Sequence, residues 1–389
     1  VRDVSYMFHT PDTETLRLCS VLSSTAFGFV FALVRFAGRG ERYFLHWSAS
    51  AFLYAAVLIG FEFAPGHPVF KSALLGALAA TNMLIVSGLR AFDCQSAFRW
   101  WMMLPIAGCI TTHLLPAMVA GTNSHTFLVT QIGDTLSIAI SALIAGLSCL
   151  AGEPRASSAN EADIIATPSR GRRLAGLAML SYLPCYAITL IGYLWTGARD
   201  NLLALVPMLS DQLLLAILNL GLLAIPAERA AARLRDAALR DPLTGVWNRA
   251  GFESQSLRLI ASGATVLAID LDHFKQINDT HGHLAGDQVL QALARVATAE
   301  VHSLGGVFGR LGGDEFLAIL PASRAPYAKA CARQIHDACR RCANGMLDWT
   351  VSIGLSQVAH GETDVREALQ RADRALYRAK VDGRDKVIA

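Results

Sequence analysis

Arg310-Leu-Gly-Gly-Asp-Glu-Phe316 is the stretch on which the reading of this chain turns. Apolar runs flank it at 307–311 and 316–320. Gly312-Gly313 supplies the positive φ angles of a tight hairpin turn, so the two runs read as antiparallel strands. Asp314 and Glu315 then stand at or next to the hairpin tip. Upstream, Thr265-Val-Leu-Ala-Ile269 is a β-branched and aliphatic run that ends in Asp270. That pattern predicts a buried strand delivering a carboxylate at its C-terminal end. A further strand is expected at 349–355, closing on Ser352-Ile-Gly354. Helices are expected at 248–262, 286–302, 324–343 and 363–380. The order α-β-α-β-β-α-β-α makes an α+β domain with an antiparallel sheet element.

A strand-end Asp and a hairpin-tip acidic pair can meet across adjacent strands. Hard oxygen ligands of this kind suit Mg²⁺, which takes one or two carboxylates and completes its shell with substrate phosphates. Two such ions can activate an attacking hydroxyl and stabilise a departing oxygen in phosphoryl transfer. Lys275, five residues after Asp270, can place a point charge on phosphates. An isolated Asp at any one of these places is more often a turn residue; the set as a whole is not read that way.

Working outward, the chain has 389 residues, room for two or three domains of about 150 residues. Hydrophobic residues make up 53% and charged residues only 17%, with mean hydropathy +0.38. Such a composition excludes disorder. Eight cysteines are too few for a disulfide scaffold. A net charge of +3 is too small to mark a nucleic-acid binder, and no nucleic-acid partner is expected. The charge is unevenly placed. About 11% of residues 1–226 are charged, against about 25% of 227–389, the ordinary soluble level. The expected organisation is a membrane-embedded sensor region over 1–226, a linker helix over 227–240 and a soluble domain over 241–389.

Seven apolar runs approach the roughly 20 residues that cross a bilayer, at 15–35, 43–63, 69–91, 100–120, 126–150, 174–195 and 201–225. The first is read as a span, not as a cleaved signal peptide. Arginines follow alternate spans: Arg35, Arg39 and Arg42; Arg90 and Arg99; Arg155, Arg170, Arg172 and Arg173; Arg229, Arg233, Arg235 and Arg240. The loops between them carry almost none, Arg199 and the nearby Lys71 apart. Basic loops stay cytoplasmic, so the N-terminus is placed outside and the C-terminal domain in the cytoplasm, at an inner, multi-pass membrane. Trp47, Trp100, Trp101 and Trp195 lie near span ends, as interfacial aromatics do. Glu62, Asn82, His113, Gln131, Asp134, Asp211 and Asn219 fall inside the spans. They are read either as a sensory pocket for an unknown ligand, metal or proton, or as interhelical hydrogen bonding. The loop 151–173 reads as a mobile connection, and 227–240, rich in Ala, Leu and Arg, as a helix continuing the last span. Cys339-Arg-Arg-Cys342 lacks a second pair and is read as structural.

Six motifs in register give residues 240–389 a family resemblance. They are Asp241-Pro-Leu-Thr-Gly-Val-Trp-Asn-Arg249, Asp270-Leu-Asp-His-Phe-Lys-Gln-Ile-Asn-Asp279, Gly282-His-Leu-Ala-Gly-Asp287, the 310–316 stretch, Ser352-Ile-Gly354, and Ala372-Asp-Arg-Ala-Leu-Tyr-Arg-Ala-Lys380 with Gly383-Arg384. The domain resembles GGDEF domains, the palm-like catalytic modules of bacterial diguanylate cyclases. The resemblance implies a homodimer in which each subunit holds one GTP. Each 3′-hydroxyl attacks the opposite α-phosphate, and cyclic di-GMP forms with release of two pyrophosphates. It implies Mg²⁺, or Mn²⁺ in its place, on Asp270, Asp314 and the Leu271 carbonyl. Glu315 is left to metal binding or to activating the hydroxyl. Phe274 and Lys275 fall in the phosphate loop, and Lys380 and Arg384 on the β- and γ-phosphates. Asn278 and Asp287 fall on the guanine edge, with His283 near base or ribose. An Asp at 287 can accept from both guanine N1 and N2, which favours GTP over ATP. Many relatives carry an inhibitory Arg-x-x-Asp upstream of the signature. Here Ser303-Leu-Gly-Gly306 stands in its place, so no inhibitory site is expected. The competing readings are a catalytically inactive nucleotide receptor or scaffold at the membrane, and a transporter with a regulatory tail.

Overall fold

The computed structural model describes residues 13–37, 41–64, 67–120, 124–151, 168–196, 205–343, 347–362 and 365–389. The chain divides into two compact units, Val1–Ala230 and Ala231–Ala389.

The first unit is helical: α1 (Thr13–Ala37), α2 (Tyr43–Gly60), α3 (Pro68–Phe92), α4 (Met103–Ala120), α5 (Ser124–Leu150), α6 (Arg170–Thr196) and α7 (Leu205–Ala238), whose last residues belong to the second unit. Among the described residues, six helices are long and apolar enough to cross a membrane. The fourth expected run becomes a 3₁₀ turn at Trp100–Met102 followed by α4, which has 18 residues and stands outside that six. The burial pattern is inverted relative to a water-soluble bundle. Phe36, Met118 and Trp195 are at least 74% exposed, while Ser24 and Ser141 are fully buried. Helices that turn apolar side chains outward and hydroxyls inward are built for lipid, where packing relies on small residues and internal hydrogen bonds. These features mark a multi-pass membrane protein.

Most of the expected loop 151–173 lies outside the described residues, and its C-terminal end is already helix. Arg172, counted above as a loop cation, is buried near the start of α6. Its guanidinium pairs with Asp93 and donates to the Ala151 carbonyl at 3.1 Å.

The second unit runs α8 (Arg249–Ser256), β1 (Thr265–Leu271), α9 (Phe274–His281), α10 (His283–Ser303), β2 (Val307–Gly312), β3 (Glu315–Leu320), α11 (Ala328–Ala343), β4 (Val351–Gln357), α12 (Arg366–Val381) and β5 (Val387–Ile388). The sheet order is β2-β3-β1-β4-β5, antiparallel except for the β4–β5 pair. β1 is central and buried along its whole length. Alternation assigns its two faces. Leu267, Ile269 and Leu271 pack with Leu290, Leu293, Ile335 and Cys339 from α10 and α11. Val266 and Ala268 pack with Phe252, Ala368 and Ala372 from α8 and α12.

Several boundaries differ from expectation. α8 stops at Ser256, because the chain must reverse through turns to Gly263 (φ +90°) before entering β1. α9 was not expected; eight residues between the left-handed His273 (φ 55°) and Gly282 (φ 81°) are too few for a periodic signal. The two-residue β5 is recruited by main-chain pairing with Ile353 and Gly354 and by Val387 packing against the core, and two residues carry no periodic signal. The hairpin turn forms as read, with φ +56° at Gly313.

The Gly of Ser352-Ile-Gly354 acts by absence of a side chain. A Cβ there would lie 2.1 Å from the Ala372 carbonyl oxygen of α12. Gly354→Ala is expected to destabilise the unit by about 1–3 kcal/mol through forced displacement of α12. Thermal unfolding checks this, and an unchanged midpoint would contradict the close approach.

Candidate active site

Asp270 ends the same face of β1 as Val266 and Ala268, the face under α12. Its cross-strand neighbours are Glu315 on β3 and Ser352 on β4. The carboxylate is only 5% exposed. Lys380, near the end of α12, brings Nζ to 2.8 Å from Asp270 Oδ2. Asp314 is the second residue of the hairpin turn, and its carbonyl accepts from the Leu271 N–H at 3.4 Å. Burial raises the Asp270 carboxyl to about 6; the Lys380 hydrogen bond and charge pull it down, while the nearby Asp314 and Asp272 charges push it up.

The donor set fits a hard divalent cation. Two carboxylates and a main-chain carbonyl from Leu271 lie at one end of the sheet, and burial plus crowding leaves Asp270 in need of positive charge. Among the described residues no three His, Cys, Asp or Glu side chains close on one point. A cation here would therefore complete its shell with substrate oxygens and water, as Mg²⁺ does.

The hairpin is held from behind. Arg310 Nε and Nη2 both donate to the Gly313 carbonyl, at 2.9 and 2.6 Å. Its Nη1 pairs with Asp241 Oδ1 at 3.1 Å. That same oxygen accepts from the Thr244 N–H at 2.9 Å and its hydroxyl at 2.6 Å. Burial works against the Asp241 charge, but the Thr244 and Arg310 hydrogen bonds win and hold its carboxyl below the usual range. Asp272 does a similar job on the other side. Its carboxylate accepts from Thr350 Oγ1 and Ser352 Oγ, each at 2.8 Å, and from the Asp385 N–H at 3.0 Å. It thereby anchors the turn that presents Arg384, where Arg384 (φ 62°) and Asp385 (φ 51°) occupy the left-handed region. Non-glycine residues adopt that region at a cost, so the surrounding bonds must hold them there.

Phe274 and Lys275, expected in the phosphate loop, lie on α9 together with Asn278, and His283 and Asp287 lie in the first turns of α10. Asn278 Oδ1 and the Phe274 ring lie against Gly286, next to Asp287. Lys275 and His283 are exposed on these two helices. The structure thus gathers Asp270, Leu271, Asp314, Glu315 and Lys380 at one sheet end, and Phe274, Asn278 and Asp287 at the α9–α10 junction. Asp241, Asp272 and Arg310 were quoted in the motifs but given no role. The spacing of Asp270 and Asp272, two apart and so on one side of the chain, is the signal that could have found Asp272. Cys339 is buried, and burial pushes its thiol up to about 12, consistent with a packing residue.

Residues 238–386 match the family described as diguanylate cyclase, GGDEF domain. The C-terminal part of the chain is a GGDEF diguanylate cyclase domain. It is 40% identical over 172 residues to Diguanylate cyclase DgcM of Escherichia coli (strain K12), covering 42% of this chain and 41% of that protein. It is 36% identical over 163 residues to Probable diguanylate cyclase DgcC of the same strain, covering 40% and 44%. A solved structure of the coiled coil and GGDEF domain of DgcB from Caulobacter crescentus, in complex with c-di-GMP, is 29% identical, covers 42% of this chain and 92% of that one, and has a TM-score of 0.39. The chain spans about two fifths of the length of these two curated relatives.

Asp241→Asn tests the support of the hairpin. The folded carboxyl titrates below its unfolded value of about 4, so its stabilisation is complete above that pH and is lost as pH falls further. The variant should be less stable by about 1–2 kcal/mol at pH 7, with the gap closing below pH 4. A gap independent of pH would contradict the charge-based account.

Proposed function

We propose that this chain is a membrane-bound diguanylate cyclase that makes cyclic di-GMP from two GTP. The observation that carries the reading is the buried Asp270 carboxylate beside Asp314 and Glu315, with Lys380 on it. In a homodimer, each bound GTP offers its 3′-hydroxyl to the α-phosphate of the other. A 3′-oxygen–phosphorus bond forms, the bond to the β-phosphate oxygen breaks, and pyrophosphate leaves. Asp270, Asp314 and the Leu271 carbonyl would hold Mg²⁺ or Mn²⁺. A bound divalent cation supplies charge neutralisation and polarises the phosphate. Glu315, exposed at the start of β3, receives the hydroxyl proton or adds a metal ligand. Lys380 neutralises Asp270 in the substrate-free chain and turns to the phosphates when that charge is otherwise balanced. Lys275 and Arg384 bind phosphate oxygens, with Phe274 shaping that end. Asn278 and Asp287 read the guanine edge, and His283 lies toward base or ribose.

The organisation follows the same reading: a sensor region over 1–226, a signalling helix over 227–240 and the cyclase over 241–389. The alternating arginines support an N-terminus outside and a cyclase in the cytoplasm. The 303–306 segment supplies neither Arg nor Asp, so product inhibition through that position is not expected.

Purified full-length chain in nanodiscs, given GTP and Mg²⁺, should yield cyclic di-GMP by chromatography. A folded dimer that yields none overturns the enzyme reading in favour of a nucleotide receptor. Asp314→Ala should lower turnover by at least about a hundredfold with the melting point retained, since it removes a proposed metal ligand and no core contact. For base choice, Asp287→Ser should cut kcat/KM for GTP by about tenfold to a hundredfold, because a charged acceptor for two guanine donors is lost. Wild-type discrimination in that variant would place guanine elsewhere.

A further inference from the structure

The helical unit holds a partly open cavity of about 100 Å³, with lining residues drawn from α1, α2, α3, α5, α6 and α7. Ser24, Trp47, Tyr54, Tyr182, Tyr186 and Asp211 are among them. Asp211 is buried, and both its oxygens accept from neutral hydroxyls: Oδ2 from Ser20 at 2.6 Å and Oδ1 from Tyr182 at 2.7 Å. Hydroxyl donors satisfy a carboxylate without neutralising it. Ion pairs of this unit among the described residues include Arg17–Glu62, His113–Asp134 and Arg172–Asp93, and none there includes Asp211. A buried acid in an apolar bundle without a cationic partner is costly and marks a site.

A second observation points the same way. Ser24 is fully buried, lines the cavity, and its Oγ has no hydrogen-bond partner. The Trp47 indole N–H is already given to the Ile85 carbonyl at 3.3 Å, so what it adds to the wall is its ring. Ser50, Thr81, Asn82 and Asn219 also line the pocket, but their donors go to the Thr81 carbonyl, the Leu78 carbonyl, Ser141 Oγ and the Leu215 carbonyl. Beyond these the wall offers one carboxylate, the unpartnered Ser24 Oγ and several aromatic rings. Aromatic rings beside a carboxylate suit an organic ammonium, which combines charge with an apolar surface. A hard inorganic cation instead requires about six oxygen ligands. Size narrows the ligand further. A cavity of about 150 Å³ holds benzene, so about 100 Å³ holds four or five heavy atoms.

We propose that this cavity binds a small alkylammonium cation, with Asp211 as counter-charge, Ser24 Oγ accepting its N–H, and Trp47, Tyr54 and Tyr186 against its alkyl groups. The inference goes with the sensor reading of 1–226 but is read out by binding, so it stands or falls separately from cyclase activity.

Full-length protein in nanodiscs is titrated calorimetrically with trimethylammonium chloride, with sodium chloride at equal ionic strength as the control. Saturable binding, absent with sodium, is expected, together with a raised melting temperature. Asp211→Asn should weaken binding at least tenfold. Ser24→Val, which narrows the pocket by about one methyl group and removes the accepting oxygen without breaking a hydrogen bond of the free protein, should weaken binding at least tenfold, and this variant carries the test if Asp211→Asn does not fold. Three results would overturn the proposal: no saturable binding, equal binding of sodium, or undiminished affinity in the folded variants.

Discussion

A carboxylate buried at the end of a central strand must be answered by positive charge, and that requirement organises the GGDEF unit. Asp270 is nearly shut off from solvent, because β3 and β4 flank its strand and α12 covers its face. Lys380 answers it from α12. For that to happen, α12 must lie close on β4, which Gly354 allows by having no Cβ. The hairpin beside Asp270 must also hold its place. Arg310 fastens it to Asp241, and Asp272 fastens the opposite turn. Each of these supports involves a charged or hydroxyl side chain whose partner lies on another element. Their energies are modest one by one, but together they remove the freedom of the loops around one carboxylate.

The helical unit obeys a different constraint. In lipid, backbone groups are satisfied within each helix, so polar side chains are left to join helices to one another. Asn82 donates to Ser141 at 2.9 Å, Ser48 to the Gly28 carbonyl at 2.9 Å, and His113 meets Asp134 at 2.8 Å. Tyr193 donates to Gln131 at 3.4 Å, and Glu62 pairs with Arg17. The polar residues seen inside the apolar runs are therefore mostly interhelical ties. Asp211 combines such ties with a cavity at its side, which separates it from the others.

Periodicity exposed most of the soluble unit. The runs at 265–269, 307–311 and 316–320 are strands, because aliphatic residues bounded by Gly and Asp have few other stable uses. Short or pairing-dependent elements escaped. α9 is capped by backbone conformations at His273 and Gly282, and β5 pairs with the free edge of β4. In the membrane unit, apolar length located the helices but misplaced the start of α6, where Arg172 is buried against Asp93 although its charge suggested a loop.

Composition and pattern were enough to divide this protein into an apolar helical region and a soluble α+β domain, and six spaced motifs were enough to identify that domain. These properties are local, because hydropathy, turn chemistry and motif spacing are all written along the chain. Which charges face each other was settled by folding. Lys380 and Asp270, Arg310 and Asp241, and Ser20 and Asp211 are distant in sequence and meet through sheet order or helix packing. A residue's type states what it can bond to; only the tertiary structure supplies the partner, the burial that strengthens the bond, and the cavity left where no partner comes.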